Sequence, residues 1–562
     1  MGIFTSGLRA IIASLLLAAP GAAQAQGWAW ASTAATASTG TSTVQRTVVD
    51  AAGNAYAVGF FAGTLQLGSF TLVSNGGDDL FVARLSPAGQ WTQAVAAGGT
   101  ADESADVVAL DPRGGVVVGG NFASTQFALG STALAANGQH NAYVARLDAG
   151  GTWQQATAAT ARTCNDLEVR ATGEVVLTGD LHGLAVPVRF GTLTIPPTGG
   201  HVFVARLSPA GQWTQLVGFG GTCDFATALA LDAAGNATVV GEFRAPTLTL
   251  GSTVLTNANT TSNAMGCRAP NGFLAQLSAA GTWTQAQAYA HPSSSTLQDI
   301  QLAPNGETVL LGSFWGPSFQ LGTLTVMAVV PGATASEFVA RRSAAGIWTQ
   351  ASAFGDGLRS FTLRLAVDAA SNAVVAGTYC GARMHFGNQY LLNSAPNPDP
   401  FQCSGEVFAA RLSPTGQWLQ ALSAGGPGDD IAGDFCLDAA GNVLVNGSLA
   451  GPLSTFGSRT VTGPPRLSAF VAKAAFVPTA TAPAAVQAPL ALWPNPARAA
   501  ATLVLAPVAS ARSAQLLDAL GRAGRTLAVP AGAAAVPVDL TGLAPGVYLL
   551  RCGTAMSRLM VE

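Results

Sequence analysis

The sequence predicts an all-β chain, a ring of seven four-stranded blades followed by a small β-sandwich, and three observations carry that reading. FVARLSPAGQWTQ at Phe81–Gln93 returns letter for letter at Phe203–Gln215, with looser copies from Tyr143, Phe273, Phe338 and Phe408. A tryptophan follows in each copy: Trp91, Trp153, Trp213, Trp283, Trp348 and Trp418 stand 62, 60, 70, 65 and 70 residues apart. A regular period of that size marks a repeat architecture. The array is also out of frame by one strand. The other repeat signals occur seven times but the tryptophan strand only six times after them, and the missing one stands in GWAWAST (Gly27–Thr33), with Trp28 63 residues before Trp91.

The elements follow in chain order. Arg9, the apolar run AIIASLLLAA (Ala10–Ala19) and the small-x-small site Ala23-Gln24-Ala25 read as a secretion signal over residues 1–25. The mature chain is then expected to start at Gln26, outside the cytoplasm, where disulfides persist. No later run of 18 apolar residues suggests a membrane span. Within each period the runs are four to eight residues long, often alternate in polarity and end at Gly, Asp, Asn or Pro, as β-strands do. DAAGN-type turns join strands A and B, at Asp50, Asp111, Arg170, Asp232, Ala303, Asp368 and Asp438; SPAG-type turns join strands C and D. Asp or Ser opens each turn by accepting backbone N–H groups, and Gly takes the position that needs φ > 0. A short F/L-G-S/T piece in every B–C connection (first at Leu67, last at Phe456) reads as a small extra ribbon.

The frame shift makes sense if the array closes on itself. The N-terminal strand then becomes the outer strand of the last blade and leaves no open sheet edge. Seven such blades over residues 26–475 make a β-propeller with Trp28, Trp91, Trp153, Trp213, Trp283, Trp348 and Trp418 as blade-structural residues. An open solenoid has no need for one end to complete the other, and immunoglobulin-like domains need about 100 residues each. The combination of FVARLSPAGQW, a Gly-rich turn and ALDAAGN before an alternating strand resembles the bacterial seven-bladed propellers called SBBP repeat proteins, over about residues 27–475. The F/L-G-S inserts depart from the roughly 40–45 residues of WD-type blades.

Residues 476–491 (around VPTATAPAAVQAPLA) are uncharged and Pro/Ala-rich, a linker. The strands after it, over residues 492–562, carry WPNPA, LLDALGR, LAPGVYLLR and a terminal SRLMVE. These resemble the type A sorting domain of the type IX secretion system. The motif positions are Trp493, Pro494, Asn495, Pro496, Asp518, Gly521, Arg522, Gly546, Tyr548 and Arg558, with Trp493 where Tyr is usual and Arg558 where Lys is usual. The resemblance implies a Bacteroidetes-type cell, partnership with the secretion machinery and its sorting peptidase, and a product released or held at the outer-membrane surface. A small adhesive sandwich is the other reading of these strands.

Chemistry is sparse. With 10% charged residues and a net charge of -3 there is no basic excess for nucleic acid. His140, His182, His201, His291 and His385 sit at unrelated repeat positions without a metal-ligand spacing, and read as ordinary loop residues. The turn Asp gives way to Arg170 and Ala303, so it reads as a turn-opener, not a calcium ligand. Strand-C Arg84, Arg146, Arg206, Arg341 and Arg411 give way to Gln276 and Lys473 and read as rim residues over blade edges. The loops of one face carry Asp78, Asp79, Asp102, Glu103, Asp106, Asp224, Asp356, Asp429 and Asp430. These read either as solvated acids or as a site for Ca²⁺ or a polyhydroxylated glycan. Among seven cysteines, Cys380 and Cys403 bracket one long insert and are the expected disulfide; 223–267 or 164–223 is open as a second, and Cys436 reads as a small buried residue. The expectation is a non-catalytic protein without a cofactor that binds a surface glycan or protein. The alternative is a carbohydrate-active hydrolase or lyase on the same ring.

Overall fold

In blade 1 the first hairpin pairs Thr41–Val49 (strand A) with Ala55–Ala62 (B) across the turn Asp50–Asn54. The Asp50 carboxylate accepts the N–H of Ala52 at 3.0 Å and of Asn54 at 2.8 Å, and Gly53 sits at φ 82°, a conformation that costs glycine least. The second hairpin pairs Asp79–Leu85 (C) with Trp91–Ala97 (D) across Ser86–Gln90. B and C pair in turn, so the sheet runs A-B-C-D. The computed structural model describes residues 27–36, 40–136, 140–182, 188–196, 200–291, 293–330, 332, 335–358, 360–396, 404–451, 453–461, 467–476, 491–505, 511–518, 522–552 and 555–562. The signal segment, Cys403, Gly521 and most of the linker lie outside them.

The same order recurs in six more sheets, with strand A at Glu103–Leu110, Asp166–Val169, Phe225–Leu231, Ser294–Leu302, Phe361–Val367 and Asp429–Leu437. The protein is a seven-bladed β-propeller. In the seventh sheet strand C (Ser468–Ala475) takes its outer partner from the other end of the chain, Gly27–Thr33. Trp28 faces Ala474 in register, is 6% exposed, and meets the Phe456 ring edge-on at 5.0 Å; Phe456 in turn lies 5.4 Å from Phe470.

The core lies in the seams between blades. Val58, Leu80 and Val82 of blade 1, for example, pack with Val108, Val118, Phe127 and Tyr143 of blade 2. Each F/L-G-S piece is the turn of a two-stranded ribbon such as Thr64–Leu67 with Phe70–Val73. The positive φ demands the glycine, and at Gly130 and Gly322 the nearby tryptophan adds crowding to that demand. At Gly68, Gly130 and Gly322 φ is near 60°, and an added Cβ would lie 3.5, 3.2 and 3.1 Å from Trp91, Trp153 and Trp348 of the same blade. The blade tryptophans thus support the ribbons; Trp28 and Trp348 are buried and the other five are half-buried.

The strand-C arginines of blades 2, 3, 5 and 6 are not rim residues, whereas Arg84 of blade 1 is half-buried and pairs with Asp50 of its own blade. Arg146, Arg206 and Arg341 are at most 3% exposed. Each guanidinium reaches across the seam to a backbone carbonyl in the A–B turn of the next blade. Arg146 donates to Gly173 at 2.5 Å, Arg206 to Gly235 at 2.6 Å, Arg341 to Ser371 at 2.6 Å and Arg411 to Gly441 at 2.5 Å. Sequence reading placed them outside because a charged residue is usually exposed unless paired. Here the neighbouring blade supplies the pairing.

Residues from Val477 onward form a second compact unit. It stacks a three-stranded sheet (Ala491–Trp493, Ala500–Val504, Ala535–Asp539) on a four-stranded one (Ala523–Val529, Arg512–Leu517, Gly546–Cys552, Ala555–Val561) around Leu503, Leu516, Leu550 and Leu559. Asn495 accepts the N–H of Met560 at 2.8 Å and donates to the Arg558 carbonyl at 2.7 Å, so the first and last motifs meet. Asp518 and Arg522 close a turn at 2.7 Å, and Tyr548 donates to the Ala544 carbonyl at 2.9 Å. Trp493 is 75% exposed. No helix among the described residues is long and apolar enough to cross a membrane.

Candidate functional site: the central channel

The innermost strands share an irregularity. In six of the seven blades the A–B register slips by one or more residues at one repeat position, five residues before the turn. Such bulges re-aim side chains. The displaced residues include Gln45, Asp106, Thr227, Gln298, Leu363 and Gly433, and with Asn165 of blade 3 all line one cavity of about 880 Å³ on the axis of the ring. Thr43, Ser104, Thr296, Ser448, Phe225, Arg46, Arg244 and Arg364 also line it. Six of the seven strands A contribute, and blade 3 contributes Thr163, Cys164 and Asn165 just before its strand A.

One residue further along each strand A stand Arg46, Val107, Asp166, Ala228, Asp299, Arg364 and Asp434. The ring brings the five charged ones together. Arg46 meets Asp166 at 3.2 Å and Asp434 at 4.0 Å, and Arg364 meets Asp434 at 3.7 Å. Asp299 accepts the N–H of Leu365 at 2.8 Å, and Asp166 that of Leu229 at 2.9 Å. Burial pushes Asp299 up to about 7, partly offset by Arg364, and burial with the nearby Asp166 pushes Glu168 up to about 8. Sequence reading missed this cluster. Its signal was available: counting back a fixed distance from each A–B turn aligns two arginines with three aspartates.

Four of the nine loop-face acids sit inside the protein, while Asp102 and Asp429 are exposed. Asp79, Glu103, Asp224 and Asp430 are at most 1% exposed. They serve as caps: Asp224 accepts the N–H groups of Gly221, Arg244 and Ala245, and Glu103 those of Gly99 and Ser124. Asp356 caps Leu358, Cys380 and Gly381. Only Asp106 enters the channel, where burial raises its carboxyl to about 6. A seven-fold rule lies behind this. The residue two before the strand-C aromatic is polar in every blade (Asp79, Asn141, His201, Asn271, Ser336, Glu406, Ser468), as is the residue eight before each A–B turn. Outside blade 3, where His201 is half-buried and Arg162 exposed, these positions form buried polar seams. Among the described residues no group of three or more His, Cys, Asp or Glu side chains is arranged to hold a metal.

Two histidines expected to be unrelated come together. The rings of His182 and His201 stack at 5.6 Å, and His182 stacks on Phe225 at 4.5 Å. His182 Nδ1 lies 3.0 Å from Asp180 Oδ1, and the other Asp180 oxygen accepts the Thr163 hydroxyl. His291 is also buried, with its Nδ1 accepting the N–H of Ser293 at 3.1 Å. These are built-in groups, not loop ornaments. Cys223 and Cys267 form a disulfide, and Cys164 is free and buried, which removes the 164–223 pairing. Cys380 is disulfide-bonded, while its expected partner Cys403 lies outside the described residues. Cys436 is only partly buried.

No family model matches the chain, and no curated protein does. Among solved structures it is similar to a protein of unknown function from Dyadobacter fermentans DSM 18053 (11% identity, TM-score 0.37, 80% of this chain and 99% of that one). It is similar also to the Dos1 propeller (7%, 0.35, 77% and 95%), and to an auxiliary nutrient binding protein from Bacteroides ovatus ATCC 8483 (10%, 0.22, 64% and 94%). At TM-scores below 0.5 these likenesses carry no inference about function.

Proposed function

We propose that the chain is a non-catalytic binding protein of the cell surface or medium, which takes part of a glycan or protein ligand into the channel of its propeller. The observation that carries this is the channel itself: about 880 Å³, within the usual size of ligand pockets, with a contribution from every blade. The signal-like N-terminus supports export, and the resemblance of residues 492–562 to a type A sorting domain supports the type IX route. The test is a screen of the purified chain against neutral and acidic glycans and solubilised surface proteins, beside Thr43→Trp, which fills the channel from a half-buried wall position. Binding that Thr43→Trp abolishes supports the reading. Binding that it leaves untouched moves the site elsewhere.

A second reading, a hydrolase or lyase on the same ring, rests on Asp106. A carboxyl held near 6 in a channel is the kind of group that serves as a general acid in glycoside cleavage. Sugar release from polysaccharide by the chain, lost in Asp106→Asn, would establish it.

A further inference from the structure

We infer that the channel ligand is an uncharged saccharide lying on the ring of Phe225, and that Asp180 and His182 are positioning residues that hold this ring. The inference rests on the channel being the binding site. Phe225 opens strand A of blade 4, is half-buried and lines the cavity. The His182 imidazole covers its ring with an interplanar angle of 30°. Behind it His201 stacks on His182, and the Asp180 carboxylate, itself held by Thr163, holds Nδ1. Two residues before Phe225, the Cys223–Cys267 disulfide ties the D–A loop to the B–C loop of blade 4. Phe225 is therefore oriented before any ligand arrives, and little rotamer freedom is left to lose on binding.

An aromatic face is electron-rich. It attracts the polarised C–H groups that make up the apolar face of a pyranose. The hydroxyls of that sugar need partners that both donate and accept, and Thr43, Ser104, Thr227, Thr296 and Ser448 on the wall supply hydroxyls of that kind. The charges on the wall argue for a neutral ligand. Arg46 faces Asp166, Arg364 faces Asp434 at 3.7 Å, Arg244 faces Glu242 at 2.8 Å, and the remaining wall carboxyl, Asp106, is hydrogen-bonded with Ser104. An anionic sugar would have to break one of these pairs, and a cationic one would meet the same arginines.

The test is calorimetric titration of the full chain with neutral gluco- and manno-oligosaccharides and, in parallel, oligogalacturonides. The expected result is saturable binding of a neutral oligosaccharide, weakened about 10-fold by Phe225→Ala and kept by Phe225→Tyr, which preserves the ring face. His182→Ala should weaken binding at temperatures where the variant is fully folded, and His182→Phe, which keeps the stack without the Asp180 contact, should restore part of it. Binding of oligogalacturonides alone overturns the uncharged class and leaves the channel reading standing. Neutral-sugar binding that Thr43→Trp abolishes but Phe225→Ala does not overturns the platform. Binding of neither probe, by parent or variants, overturns the saccharide assignment and returns the channel to a protein ligand.

Discussion

At the scale of single residues the A–B turns show what the repeat conserves in physical terms. In blade 2 the turn opens with Asp111, whose carboxylate takes Arg146 at 2.6 Å. Blades 3 and 5 open with Arg170 and Ala303, yet the carboxylate is not lost. It moves to the fifth turn position, where Glu174 meets Arg206 at 3.4 Å and Glu307 meets Arg341 at 3.4 Å. A buried guanidinium without a partner is costly, so the charge is kept while its position drifts. Glu307→Asn should therefore destabilise the chain by about 1–3 kcal/mol in denaturant unfolding, and Ala303→Asp with Glu307→Asn, which restores the blade 6 pattern, should recover most of it. A cost-free single variant would show that Arg341 does not need the carboxylate. A second expectation concerns pH. Burial raises Glu337 to about 8 and Asp430 to about 7. A carboxyl raised in the folded state is stabilising while protonated; the contribution is complete below the unfolded value and is lost as pH rises through the folded one. These groups should lower stability progressively from about pH 4 to 8. Glu337→Gln should flatten that decline and raise Tm at pH 8 by roughly 2–4 °C for each kcal/mol relieved, with little change at pH 4. An unaltered profile would mean that Glu337 does not titrate in this range.

At the scale of elements, one extra residue in strand A decides what the channel is lined with. A plain strand alternates its side chains between two faces, both buried in the seams of this ring. The bulge breaks the alternation and frees Gln45, Asp106, Thr227 or Gln298 for the axis. The closing strand decides stability. Burying Trp28 removes about 150–250 Å² from water, worth roughly 4–6 kcal/mol as an upper bound. Residues 27–33 also complete the ladder along Phe470–Ala475, and Trp30 donates to the Pro87 carbonyl of blade 1 at 2.9 Å. Deletion of Gln26–Thr33 should lower the melting temperature sharply and expose the edge of the last blade. A deletion chain that melts like the parent would require another closure.

At the scale of the whole molecule, the ring draws all its strands from Gly27–Ala475, and the contacts divide the chain at Phe476 and Val477. The propeller is then expected to fold without the C-terminal unit. Removing residues 493–562 should leave a folded propeller in the periplasm, and grafting them onto an unrelated periplasmic cargo should carry that cargo to the surface or medium of a host with the type IX machinery. Cell fractionation checks both. A truncated chain that reaches the surface at the parent's level would recast the unit as part of the binding apparatus.

The sequence by itself determined the blade count, the hairpins, the ribbons and the closing strand, because each depends on local turn chemistry, strand periodicity and a count of repeats. FVARL strands, DAAGN turns and the displaced Trp28 are legible within a few residues of chain. What only the tertiary structure decided is where charge goes. Arg146 and Glu103 look like surface residues in any window of sequence. Arg146 is buried because the neighbouring blade supplies a carbonyl at hydrogen-bond distance, and Glu103 because the loops beside it supply the amides of Gly99 and Ser124. The channel cluster of Arg46, Asp166, Asp299, Arg364 and Asp434 spans nearly 400 residues of chain, and Phe225 meets His182 across a blade boundary. The Arg46–Asp434 contact, between the first and last blades, exists only once the ring has closed, since closure brings the same position of different repeats to a common axis.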